Sequence, residues 1–209
     1  MLKHVRNLVI LVILLAIVVI FWVTRPDEAT VPMDKMVGVD PVLVDPRPQM
    51  VPTVDIADVS RWSADEKPVP AQGLVVERFA DGLDHPRNLY TLPNGDILVA
   101  ESNSPPRENG GIQGWVMKHL MGKAGADTTS ANRITLLRDS NGDGTVDLRS
   151  TFLKGLNSPF GMALIGDVFY VANTDALLAF PYQEGATEIT DKGRSIYALN
   201  AKAPNNHWT

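Results

Sequence analysis

The chain contains no cysteine, which removes a disulfide framework, a thiolate metal site and a cysteine nucleophile at once. It has no run of Lys or Arg, and 19 basic against 24 acidic residues leave a formal net charge of −5. A nucleic-acid binder that works by neutralising phosphates needs the opposite balance, so nucleic acid is set aside as a partner. G-x-S-x-G, H-E-x-x-H and phosphate-cradling glycine loops are all absent. Serine hydrolase, zinc protease and nucleotide-binding readings therefore lack support. What remains is a chain of 209 residues, 44% hydrophobic and 21% charged, an ordinary composition for a protein that buries one core.

Only one long apolar run is present. Lys3 and Arg6 precede Leu8–Val23, a stretch without a polar side chain that ends in Phe21-Trp22, a pair suited to a membrane interface. As a helix, Leu8–Val23 spans roughly 24 Å at ~1.5 Å per residue, a little under a hydrocarbon core of about 30 Å. The sequence after it, TRPDEATV, offers no small-x-small cleavage site. An uncleaved transmembrane anchor over residues 1–24 is therefore expected, with the Lys3/Arg6 side cytoplasmic and the remainder exported. In a Gram-negative bacterium that is a single-pass inner-membrane protein with its globular domain in the periplasm. Residues 25–71 hold eight of the fifteen prolines and no sustained period, the composition of an extended linker. Within it, Ile56 to Trp62 is a candidate belt packed on the following domain.

From residue 72 onward the chain repeats itself. GLDHPRNLYTLPNGDILVAES (Gly82–Ser102) and GLNSPFGMALIGDVFYVANT (Gly155–Thr174) share Gly-Leu-x-x-Pro, an apolar run, a Gly-Asp turn and a strand ending in Val-Ala. Upstream of each lies a second match, Leu74–Leu83 (LVVERFADGL) against Asp147–Leu156 (DLRSTFLKGL). Short apolar runs between Gly, Asp and Asn turns read as strands at RNLYTL, DILVAE, RITLLRD and DLRSTFL. Four antiparallel strands per unit is the pattern of a propeller blade. An insertion, Ser104–Ala131, lengthens the first unit, and its middle, IQGWVMKHLM, suits a short helix. The expected fold is all-β: a partial β-propeller of about two four-stranded blades, residues 72–209, behind an N-terminal transmembrane helix. Leu74–Leu83 is in phase with a fourth strand that has no first three before it. Two blades fall short of the four to eight a propeller needs, so the sequence is expected to be the N-terminal part of something longer, inactive by itself.

These residues carry a family resemblance. GLDHPRNLYTLPNGDILVAES, SANRITLLRDSNGDGTVDLRSTFLKGLNSPFGMAL and the closing NNHWT resemble the sorbosone dehydrogenase family, relatives of the soluble quinoprotein glucose dehydrogenases. The resemblance covers Gly73–Thr209, roughly the first half of that family's catalytic domain. It implies a six-bladed propeller with pyrroloquinoline quinone (PQQ) on its axis and a calcium ion bound to the quinone. It also implies oxidation of sugars or sugar aldehydes in the periplasm, with electrons passed to a respiratory-chain acceptor. Two other readings compete: a calcium-dependent propeller lactonase or other hydrolase, and a tethered propeller that binds a partner without catalysis.

Candidate site residues follow. Asp139, Asn141, Asp143 and Asp147, around Gly142 and Gly144, match alternating positions of a calcium loop, but position 12 is Ser150 where a bidentate Glu is usual. The same residues suit a polar hairpin turn between third and fourth strands. Arg87 and Asn157 stand in equivalent loops that enter the first strands, where an Arg suits a cofactor bearing three carboxylates. His207, in APNNHWT, precedes an expected first strand, and in the resembled glucose dehydrogenases a histidine at the start of the corresponding blade is the general base. An imidazole with an ordinary pKa of ~6.5 suits that task at neutral pH. His85 and His119 read as structural. The Gly-rich insertion is a candidate wall or lid.

Overall fold

Leu2–Thr24 forms one helix, α1. Its many Val and Ile residues are mediocre helix formers in water, but in lipid each backbone polar group must be satisfied within the segment, which a helix achieves. At ~1.5 Å per residue the 23 residues reach about 34 Å, enough for a hydrocarbon core of about 30 Å. The span Lys3–Thr24 has a mean hydropathy of 3.0 and none of its most apolar window is buried against protein. A soluble core helix would be covered. By length and composition α1 is thus a membrane span or a signal sequence.

The computed structural model describes residues 2–24, 30–43, 56–57, 59–60, 62–63, 66–105, 111–126 and 128–202. The chain divides into two units, Met1–Ala57 and Asp58–Thr209, so the boundary falls inside the proline-rich stretch. The first unit holds α1 and a single turn, α2 (Met33–Met36). In the second unit Val59, itself exposed, has its Cγ2 3.1 Å from where a Cβ on Gly125 would lie.

The second unit is two antiparallel four-stranded sheets in simple meander order. The first comprises β1 (Pro86–Thr91), β2 (Ile97–Glu101), β3 (Arg133–Arg138) and β4 (Leu148–Lys154). The second comprises β5 (Gly161–Ile165), β6 (Val168–Ala172), β7 (Ala176–Pro181) and β8 (Arg194–Ala198). The eight strands match the sequence expectation, as does α3 (Gly111–Lys123) inside the insertion between β2 and β3. The β1–β2 hairpin closes through Leu92 N–H to Asp96 O, 2.8 Å, with Gly95 at φ 90° where a side chain would be strained. Neither sheet closes on itself, and the propeller expectation is met here only as far as two successive meanders.

The sheets share one core through aromatic residues. Phe152 of β4 and Phe169 of β6 are both fully buried, their rings perpendicular at 5.6 Å, and Tyr90 of β1 meets Phe169 edge-on at 6.1 Å. Leu92, Leu98, Ile134, Leu136, Leu153, Leu156, Val171 and Phe180 belong to the same cluster; each such side chain contributes about 1.5–3 kcal/mol when removed from water. Hydrogen bonds fix the mutual placement. Leu164 N–H donates to Tyr90 Oη at 2.9 Å, and Ile189 N–H donates to Phe152 O at 2.8 Å. Leu74–Leu83, which resembles β4, forms no strand.

Candidate functional site

Antiparallel register brings the starts of β1, β3, β5 and β7 to the same end as the finishes of β2, β4, β6 and β8. In the first sheet Pro86 faces Glu101, Glu101 faces Arg133, and Arg133 faces Lys154. In the second, Gly161 faces Ala172 and Ala176 faces Ala198. Cross-sheet bonds show that the two ends are contiguous: Ser102 Oγ donates to Pro159 O at 2.6 Å, Asn88 Nδ2 to Phe160 O at 2.9 Å, and Ser158 N–H to Asn132 Oδ1 at 2.8 Å.

This end is polar where it is buried. Glu101, Ser102, Asn103, Ser158, Asn173 and Thr174 are all buried here, although an interior normally excludes such groups unless they are satisfied. His85 Nδ1 and Thr174 Oγ1 are buried without a hydrogen-bond partner among the described residues. The backbone is strained at the same place. His85 and Ser158, each immediately before the repeated proline, adopt φ 53° and 46°, and Asn132 adopts 52°. Non-glycine residues hold that region at a cost of about 1–3 kcal/mol each.

Glu101 organises the first half of the site. Arg133 Nε and Nη2 grip its two oxygens at 2.9 and 2.8 Å, Thr135 Oγ1 and the Asp84 N–H donate to it, and Arg133 Nη2 also reaches Asp84 Oδ2 at 2.8 Å. Burial by itself raises the Glu101 carboxyl, but the bonds from Arg133, Thr135 and Asp84 outweigh it and hold the group below the ordinary carboxylate value. Glu101, Arg133 and Thr135, with Gly82, Leu83 and Arg149, line a cleft of about 250 Å³. The insertion is rooted beside them, because Asn103 Nδ2 donates to Ala126 O at 2.9 Å and Thr128 O at 2.7 Å.

The residues singled out from sequence are distributed unevenly. Arg87, on β1, is exposed at the polar end with its guanidinium 5.5 Å from the centroid of the Phe160 ring. Asn157 is close by along the chain, its carbonyl accepting from Thr174 N–H at 3.0 Å. The repeat aligns Arg87 with Phe160 and Asn157 with Asp84, so the two lie in equivalent loops but at different steps of them. His207 lies outside the described residues.

The Asp139–Asp147 loop is at the opposite end of the first sheet, between β3 and β4. Its acceptors are turned to the loop's own backbone. Asp139 accepts from Gly142, Asp143 and Gly144 N–H at 2.7, 3.3 and 2.8 Å, Asn141 Oδ1 from Asp143 N–H at 2.9 Å, and Asp147 Oδ2 from Ser140 N–H at 2.6 Å. The bond from Gly144 leads those that hold the Asp139 carboxyl below its ordinary value. No group of three or more His, Asp or Glu side chains converges on a common point among the described residues. In this conformation the loop is a self-capped turn.

Sequence reasoning missed the Glu101–Arg133–Asp84 cluster. One signal was available: the first repeat has Glu101 and Arg133 where the second has Asn173 and the neutral start of β7, so the two charges enter together.

Residues 93–202, just over half of the chain, match the model of a family described as a domain of unknown function, DUF7133. The chain belongs to the DUF7133 family. The match takes in β2 to β8 and therefore most of the polar end, while the Gly-Leu-x-x-Pro turn that opens the first sheet precedes it. No curated protein and no solved structure matches this DUF7133 chain.

Proposed function

We propose that the two sheets are successive blades of a β-propeller, and that the chain supplies part of a membrane-tethered quinoprotein dehydrogenase acting on sugars or sugar aldehydes. The supporting observation is that both sheets present a buried polar end beside the same strained pre-proline turn, at His85 and Ser158. Strain and unpaired buried polarity concentrate where a fold serves a ligand. In a propeller the first strands line the axis, so this end would open on it. In this reading further sheets would complete the ring.

A planar, carboxylate-bearing quinone is the ligand proposed for the polar end. Arg87 offers a fork for a carboxylate, Phe160 offers a ring face, and His85 Nδ1 and Thr174 Oγ1 lack partners among the described residues. PQQ, when bound, supplies a two-electron acceptor for the hydride leaving the substrate carbon. The chain's own part is to bind and to move a proton. Arg87 and Asn157 would hold the cofactor's polar edge, and His207 would accept the proton of the substrate hydroxyl. In this reading α1 is a single-pass inner-membrane anchor, the sheets are periplasmic, and the electrons pass on to a respiratory-chain acceptor. The test is dye reduction by aldoses in membranes carrying the native protein, with PQQ and calcium supplied. Activity that requires the quinone supports the proposal. Lactone hydrolysis with calcium alone, and no dye reduction, would refute it in favour of a propeller hydrolase.

A further inference from the structure

α3 (Gly111–Lys123) has little to hold it as a helix in water. Its 13 residues are marginal for an isolated helix, and Gly114 and Gly122 weaken it further. Among the described residues it packs along none of the eight strands, and the Asn103 bonds to Ala126 O and Thr128 O fasten the chain only beyond its C-terminus. Its apolar side chains face solvent. Trp115 is 70% exposed, and Val116, Met117 and Met121 are exposed with it. A contiguous exposed apolar surface marks a place that something covers.

Charge says what the cover is. Gly111–Ala126 contains Lys118 and Lys123 and no Asp or Glu, in a chain whose net charge is −5. Neither lysine enters an ion pair among the described residues. Helical spacing puts Lys118, His119 and Gly122 on the face of Trp115, and the Trp115 and His119 rings stack at 6.0 Å. An indole settles at the headgroup level of a bilayer, and lysines beside it lay their stems on apolar surface while their ammonium groups reach lipid phosphates. We propose that α3 docks in the headgroup interface of the bilayer that α1 spans, with Trp115 as anchor and Lys118 and Lys123 on anionic phospholipid headgroups. Met117 points away from the Trp115 face, and a lipid surface accepts apolar side chains on several sides of a helix where one protein groove does not. The tether at α1 makes docking intramolecular, so one short helix suffices. The inference rests on α1 as the membrane span of the proposed function and not on the dehydrogenase reading.

The chain has no cysteine, so single fluorescent labels can report position. A Cβ on Gly122 meets nothing within 4 Å, which makes Gly122→Cys a tolerated probe on the Trp115 face. Ile13→Cys in α1 and Thr145→Cys in the exposed turn between β3 and β4 are the references. The full chain is reconstituted in vesicles of phosphatidylcholine with phosphatidylglycerol, and each label is challenged with nitroxide-bearing lipid and with aqueous iodide. The expected result is lipid quenching at Ile13→Cys and Gly122→Cys, with Thr145→Cys open to iodide. Lys118→Gln together with Lys123→Gln, or vesicles of phosphatidylcholine alone, should weaken docking of the Gly122→Cys label about tenfold or more. Lipid quenching at Ile13→Cys without quenching at Gly122→Cys overturns the inference and leaves the anchor standing; no lipid quenching at Ile13→Cys removes the anchor and the inference together. A Gly122→Cys label shielded from both quenchers also overturns it, since α3 would then be covered by protein.

Discussion

Glu101 is the residue on which the polar end depends. It is fully buried and its charge is balanced by a bidentate Arg133. Removing one member of such a pair leaves the other uncompensated, at a cost of about 3–5 kcal/mol; Arg133 keeps Asp84 as a second partner, which favours the lower figure. Glu101→Gln is therefore expected to destabilise the protein by about 3 kcal/mol in urea denaturation at neutral pH. The pH dependence has a definite sign. The folded carboxyl lies below its unfolded value, so its contribution is complete above about pH 4.3 and is lost as pH falls through the folded pKa. Glu101→Gln should flatten the acid limb of the stability profile, and an unchanged acid limb would show that Glu101 does not govern it. In the proposed dehydrogenase reaction the proton acceptor would be a different residue. In the native protein His207→Asn is expected to lower kcat about 10²-fold or more while quinone binding survives; near-native kcat would remove His207 from the mechanism.

At the scale of elements, the strands were legible because alternation, Gly-Asp turns and the Val-Ala strand ends are local signals. The hairpin at Gly95 and the two-residue turn at Gly166 need only the residues within them. The polar end was less legible. Arg87 and Asn157 are placed by a repeated turn visible in the sequence, whereas the grip of Arg133 on Glu101 depends on a register across the Ser104–Ala131 insertion that no local pattern encodes. Leu74–Leu83 shows the opposite limit, since strand composition does not make a strand without an edge to pair with. The Asp139–Asp147 loop carries two meanings at once, since its alternating acceptors serve backbone N–H groups as well as they would a cation. Close packing supplies a further test at this scale. A Cβ on Gly193 would lie within 3.0 Å of three carbons of the buried Phe180 ring. Gly193→Ala should cost about 1–3 kcal/mol by overpacking, seen as a lower Tm. An unaltered Tm would mean that the Arg194–Ala198 edge can shift away from Phe180.

Over the whole molecule, a helix able to span a membrane precedes two sheets whose adjoining ends are polar, strained and, among the described residues, incompletely satisfied. On the proposed reading this end receives the ligand, and the end that carries the Asp139–Asp147 turn does not. Amide hydrogen exchange of the native protein with and without PQQ and calcium tests it most directly. The account predicts slowed exchange around residues 84–88, 101–104, 157–160 and 173–175 on addition of the quinone, with residues 139–147 unchanged. Protection confined to 139–147, or no protection in either sheet, would contradict it.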